Sequence, residues 1–234
     1  MKNSFIKDIA FYVPEKILTN DDLSTMMDTS DEWIKTRTGI HKRHTTGDTN
    51  MGPADLAVLA SKKLFNKLNM DKSEVDFVVF ATSTPDYFVP GSGALFQEKM
   101  GLDNIGVLDI RQGCSGFVYG LSVADQFIKS KCFKNILVIG AEVQTTRNAM
   151  EGADFLARAS HYKRQRNIDP FTFPALFAAR IRDVVSGTET TLDDLALASV
   201  KAYGNANRNP LAHMHTVKMP FEKACTAGPG NQNF

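Results

Sequence analysis

Apolar residues change their spacing several times along this chain, and each change marks a predicted element. Residues 4–13 read as a first strand that stops at Pro14. Asn20 is a candidate N-cap for a helix over residues 21–27, and Ser30 for a second short helix that carries Trp33. Leu56, Leu59, Ala60, Leu64 and Leu68 recur at helical spacing and predict a helix over 54–68. Residues 75–82 form a nearly continuous apolar run, as expected of a strand buried on both faces. A helix over 92–100 ending at Gly101, a strand over 105–110, a helix over 115–129 and a strand over 135–140 complete the series.

Strands alternating with helices predict a parallel α/β sheet. Right-handed crossovers would place helices on both of its faces, although the pattern does not give the strand order. The character changes after Arg147. A helix with proline near its start is predicted from Phe173, ending over residues 186–188. Thr191 can cap another, with Leu195, Leu197, Ala198 and Val200 on its apolar face and Asn209-Pro210 beyond its end. Residues 227–234 are turn-rich.

The chain has 234 residues, 43% of them hydrophobic, enough for one large domain or two small ones. Lys and Arg total 27 against 26 Asp and Glu, so no broad basic excess points to nucleic acid. The basic run at 161–166 reads as a solvated helix face or loop. Three cysteines, at 114, 132 and 225, form no CxxC pair, which predicts neither a disulfide framework nor a zinc site. His213-Met214-His215 has no carboxylate or cysteine cluster beside it to hold a metal. No apolar run approaches membrane-spanning length, and the charged N-terminus does not read as a signal peptide. A reducing, cytoplasmic setting is the expectation.

The candidate chemistry lies in Asp109-Ile110-Arg111-Gln112-Gly113-Cys114-Ser115-Gly116-Phe117-Val118-Tyr119-Gly120. Here a strand runs through a short turn into a helix and puts Cys114 at the helix mouth. Free backbone N–H groups and the positive end of the helix dipole favour a thiolate there. Such a thiolate is a good nucleophile toward a thioester, and the same amides can hold negative charge developing on a carbonyl oxygen. The alternative is a small buried cysteine that packs the helix start.

Gly113-Cys114-Ser115-Gly116-Phe117-Val118-Tyr119-Gly120-Leu121 resembles the nucleophile region of 3-oxoacyl-[acyl-carrier-protein] synthase III. Thr19-Asn20-Asp21-Asp22-Leu23, residues 28–40, Ala81-Thr82-Ser83-Thr84-Pro85-Asp86 and Ile139-Gly140-Ala141-Glu142 resemble the same family in the same order. The resemblance covers residues 1–147. It implies the N-terminal half of a thiolase-like α-β-α-β-α sandwich. Residues 148–234 resemble the helical loop region of sterol-carrier-protein-type thiolases, on Phe173 to Arg180, residues 195–201 and Asn209 to His213.

The implied activity is a Claisen condensation in which Cys114 takes an acyl group from acyl-CoA and passes it to a malonyl thioester. Trp33 and Arg37 match positions that flank the adenine end of CoA; the bland reading is a helix anchor beside a surface pair. Phe88 matches a wall of the acyl pocket across a dimer interface. Coenzyme A enters as a thioester substrate, with no cofactor and no metal expected. Acyl carrier protein is an expected partner, with a homodimer or a completing partner chain, and neither nucleic acid nor membrane is expected.

The His, Asn and second-Cys motifs that the family and the thiolases supply from a second half are not recognisable, so the chain reads as a fragment or truncated form. Glu142 reads as structural, and Arg111 and Gln112 as braces of the nucleophile loop. Two rival readings are a CoA-dependent thiolase and a non-catalytic subunit of the same fold.

Overall fold

The computed structural model describes residues 3–226 apart from Asp103 and Thr146. In chain order its strands and α-helices begin with β1 (Ile17–Thr19), α1 (Asn20–Ser24), α2 (Asp31–Thr38), β2 (Lys42–His44) and α3 (Pro53–Leu68). β3 (Phe77–Ala81), α4 (Ser92–Met100), β4 (Gly106–Ile110), α5 (Gly116–Lys129) and β5 (Ile136–Gly140) follow. The remainder is helical: α6 (Ala149–Ala157), α7 (Tyr162–Gln165), α8 (Thr172–Gly187), α9 (Leu192–Ala206) and α10 (Phe221–Ala224). The chain divides into two compact units, one of Met1–Leu18 with His44–Arg147, the other of Thr19–Arg43 with Asn148–Phe234.

The first unit is built on a parallel sheet of order β4-β3-β5. Val79 in the middle strand stands opposite Leu108 on one side and Val138 on the other. The apolar run of β3 is buried on both faces, as its composition predicts. Val78 and Phe80 join Ala54, Val58 and Phe65 of α3 with Phe96 and Met100 of α4 in one cluster. Each large side chain so buried contributes about 1.5–3 kcal/mol. Val79 and Ala81 point the other way, to α5. Helices therefore cover both faces. On the α5 side the approach is close because Gly116 and Gly120, one turn apart, have no side chains.

Residues 3–14 are not a strand. Phe5 and Phe11 are 81% and 75% exposed. A strand is held by its ladder, and these residues join none. Side chains fix the segment instead: Ser4 donates to Asp125, and Lys67 Nζ donates to Asp8 at 2.6 Å. The apolar pattern at 4–13 was a sound strand signal, but strand formation needs a neighbour that pattern alone does not supply.

In the second unit, the cap of α1 lies one residue earlier than predicted. Thr19 Oγ1 accepts from Asp22 N at 3.1 Å while Thr19 N donates to the Asp22 carboxylate at 2.8 Å, a reciprocal capping box. Asn20 is 1% exposed and spends its amide on tertiary bonds. It donates to Asp31 Oδ1 at 2.9 Å and to the Ile40 carbonyl at 2.8 Å, and accepts from Arg43 Nη1 at 2.9 Å. These bonds tie both ends of α2 to α1. Ser30 caps α2 as expected, accepting from Trp33 N at 3.1 Å, and Gly39 ends it at φ 66°.

From residue 148 on, the described residues form helices and turns alone. The predicted α8 and α9 are present, with Thr191 capping α9 through Asp194. α6 opens on a capping box, in which Asn148 and Glu151 each accept from the other's backbone N–H. The basic run becomes the exposed α7, and its neighbour Arg166 pairs with Asp154 at 2.8 Å. The turn-rich stretch 227–234 lies outside the described residues.

Candidate active site

β4 ends at Ile110, and the chain turns through Arg111 and Gln112 into a 3-10 turn, Gly113–Ser115, that leads into α5. Gly113 makes the turn at φ 55°, a left-handed conformation that costs a residue with a side chain about 1–2 kcal/mol. Cys114 follows at once and its side chain is exposed. The alternative of a cysteine packed into the helix start is therefore not what the fold builds.

Ser115, at the N-cap of α5, makes no side-chain capping bond; its hydroxyl donates to the Gln112 carbonyl instead, at 3.4 Å. The first amide of α5 is satisfied within the turn itself, since Gly116 N–H donates to the Gly113 carbonyl. An exposed sulfur on the turn that leads into a helix is accessible as a nucleophile toward a thioester.

The ends of β3 and β5 are locked beside this turn. Glu142, just past β5, accepts from Ser83 N at 2.7 Å, from Thr84 Oγ1 and, at 3.3 Å, from Thr82 Oγ1. A carboxylate with three donors is a strut, in line with the structural role expected of it.

The loop between β3 and α4 carries Phe88, 82% exposed. Asp86 Oδ2 accepts from Ala54 N at 3.1 Å, which anchors the loop's start to the first turn of α3. Arg111 Nη2 donates to the Tyr87 carbonyl at 3.2 Å and to that of Phe88, and its guanidinium carbon stands 4.9 Å from the centroid of the Phe88 ring. Asp109 Oδ1 accepts from Gly93 N at 3.0 Å, at the opening turn of α4. Arg111 does brace a loop, as expected, but the loop it holds is that of Phe88. The periodicity of β4 carried a signal for this, since residues 109 and 111 share one face.

Trp33 and Arg37 belong to the other unit, both on α2. They sit one turn apart, and the Arg37 guanidinium carbon lies 4.5 Å from the centroid of the indole. Trp33 is still 52% exposed, so the ring and the cation together form an open platform. His213 packs its ring against Gly39, where a Cβ would come within 2.4 Å of its Cδ2. His215 Nδ1 lies 2.7 Å from the Ala212 carbonyl. Among the described residues no three His, Cys, Asp or Glu side chains gather as a metal site.

The family model of 3-oxoacyl-[acyl-carrier-protein (ACP)] synthase III matches residues 108–155, which include the whole Cys114 turn. The beta-ketoacyl-[acyl-carrier-protein] synthase III of Ehrlichia canis is 46% identical over 145 residues, 62% of this chain and 45% of that protein. The N-terminal region of this chain is similar to the synthase III family.

A second relative, from Caldanaerobacter subterraneus, is 47% identical over 131 residues, 56% of this chain and 39% of its own length. The crystal structure of the synthase III of Aquifex aeolicus superposes with a TM-score of 0.54 at 41% identity, covering 57% of this chain and 42% of that one. That of Thermus thermophilus gives 0.57 at 35% identity, with 62% and 45% covered. The chain thus spans less than half the length of the curated relatives it matches. The thiolase-type α/β fold that this region shares with those structures agrees with the alternation of strand and helix read from the sequence.

Proposed function

We propose that the synthase III region performs acyl transfer through Cys114. The sulfur attacks the carbonyl of an acyl-CoA; the C–S bond to CoA breaks, CoA leaves as its thiol, and the acyl group stays on Cys114 as a thioester. A malonyl thioester on acyl carrier protein then loses CO2, and the enolate so formed attacks the acyl carbonyl. A C–C bond forms, the bond to Cys114 breaks, and a 3-oxoacyl thioester departs. Splitting the condensation in two gives each half an accessible transition state.

One observation carries this reading: an exposed cysteine on the 3-10 turn that leads into α5, inside the segment that matches the synthase III family model.

In the same reading Trp33 and Arg37 hold the adenine end of CoA, the indole by stacking and the guanidinium by charge. Phe88 bounds the acyl chain. Acyl-CoA and acyl carrier protein are the partners, and the setting is the cytoplasm, where a free thiol persists. Tyr87, Phe88 and Val89 are all exposed, which favours a homodimer or a partner chain that covers this loop. Residues 1–147 are read as the synthase-like part and 148–234 as a thiolase-like helical loop region.

The test is to incubate the purified chain with acetyl-CoA and malonyl-carrier protein and follow CoA release and 3-oxoacyl product. Transfer of the acetyl group in the wild type and its loss in Cys114→Ala support the proposal. Equal CoA release from both proteins refutes it. Activity with acetyl-CoA as the second substrate, and none with the malonyl thioester, would favour thiolase chemistry.

A further inference from the structure

The two charged residues ahead of the nucleophile, Asp109 and Arg111, both turn toward the segment that bears Phe88 and leads into α4. Val107, Asp109 and Arg111 share one face of β4 and its continuation. Along that face each takes a different part of the segment. Val107 fills the space against Gly93, where a Cβ would stand 2.4 Å from Val107 Cγ1. Asp109 accepts the Gly93 N–H at 3.0 Å and leaves Gly91, at φ 118°, no room for a side chain. Arg111 takes the carbonyls of Tyr87 and Phe88 and lays its guanidinium against the Phe88 ring. Negative charge meets N–H and positive charge meets C=O, so the segment is gripped by both of its backbone polarities.

Phe88 needs this grip. At 82% exposure its ring has little packing of its own to fix it. One guanidinium reaches two successive carbonyls and a ring face because its donors form a rigid planar fork. A lysine ammonium, a compact point charge, cannot hold all three at once.

We propose that Arg111 is a positioning residue that sets where the Phe88 ring stands, and through it the length of acyl chain that Cys114 accepts. The proposal rests on the reading of Cys114 as acyl acceptor and Phe88 as pocket wall. It adds that selectivity is held by a side chain three residues before the sulfur in sequence, which sets the Phe88 ring that walls the acyl pocket across the dimer interface.

The experiment compares wild type, Arg111→Lys, Arg111→Gln, Phe88→Ala and the Arg111→Gln/Phe88→Ala double variant, each as the full chain. Transfer to Cys114 from acetyl-, butyryl- and octanoyl-CoA is timed by intact mass. Hydrogen exchange is followed over residues 84–92. Phe88→Ala should raise the octanoyl-to-acetyl rate ratio about tenfold. Both Arg111 variants should raise it at least threefold and speed exchange at residues 87–89. Arg111→Gln should add nothing once Phe88 is alanine. A ratio unchanged in both Arg111 variants overturns the proposal, whether or not exchange rises. A wild-type ratio in Arg111→Lys alone overturns the fork as its basis. Two other results fall on the reading beneath it: a folded wild type that takes no acyl group sinks Cys114, and an unchanged ratio in Phe88→Ala sinks the pocket wall. A wild-type far-ultraviolet circular dichroism spectrum and wild-type exchange in β3 and α5 show that an Arg111 variant has folded.

Discussion

Gly120 is where helix α5, and the nucleophile turn it follows, is seated on the sheet. A Cβ built there would lie 3.1 Å from Val138 Cγ1 and 3.3 Å from Val79 Cγ1. Carbon atoms prefer about 3.5–4.0 Å, so each methyl must give by a few tenths of an ångström. Val79 is fully buried in the middle strand and cannot swing away. Gly120→Ala gains about 1 kcal/mol of helix propensity and incurs about 1–3 kcal/mol of overpacking, which leaves a net loss of about 0–2 kcal/mol. Gly120→Val gains only a few tenths in propensity and adds two more carbons at the same contact, so its loss should reach about 3 kcal/mol. Urea unfolding followed by hydrogen exchange in β3 and α5 reads this unit directly; fluorescence would not, because the only tryptophan, Trp33, lies in the other unit. Stability of Gly120→Val equal to wild type would refute the argument that bare glycine faces fix how closely α5 lies on the sheet.

Asn20→Ala should cost the second unit about 1–3 kcal/mol, because it strands Arg43 and the Ile40 carbonyl without their buried partner; the urea midpoint of Trp33 fluorescence checks it. The Asp55–Lys99 pair should make stability fall in acid. Burial pushes the Asp55 carboxyl up, but the Lys99 ammonium and the Gly52 N–H outweigh it and leave it below its ordinary 3.8. A depressed folded value means stabilisation that is complete above 3.8 and is lost as the pH drops through the lower folded value. Asp55→Asn should therefore flatten the fall in melting temperature below about pH 4, and an unchanged slope would count against the pair. Arg37→Ala should weaken CoA binding about tenfold by calorimetry while leaving acetylation of Cys114 possible at saturating acetyl-CoA, since the guanidinium is expected to contact only the nucleotide end.

Much of the first unit was legible because its signals are local. The unbroken apolar run at 77–81 can only be a strand buried on both faces, and Gly101, at φ 61°, ends α4 where the sequence places the stop. The place of the thiol followed from the same kind of reading, a strand, a turn and a helix start in twelve residues, whereas its exposure is read from the fold. What could not be read was tertiary. Residues 4–13 carry a strand's composition but lack a ladder, and no local pattern reports the absence of a neighbour. Asn20 looks like a cap because its residue type caps helices, whereas the fold buries it to tie α2 down and leaves capping to Thr19. Asp109 and Arg111 lie adjacent to the nucleophile in sequence, yet the loop they hold is more than fifteen residues upstream, a distance that spacing alone does not bridge.

The most direct measurement is to treat the chain with radiolabelled acetyl-CoA, digest it with protease and locate the label. The account predicts one labelled peptide, the one that contains Cys114, with labelling blocked by prior iodoacetamide and absent in Cys114→Ala. Label spread over Cys132 or Cys225, or an equal yield without the Cys114 sulfur, would contradict it.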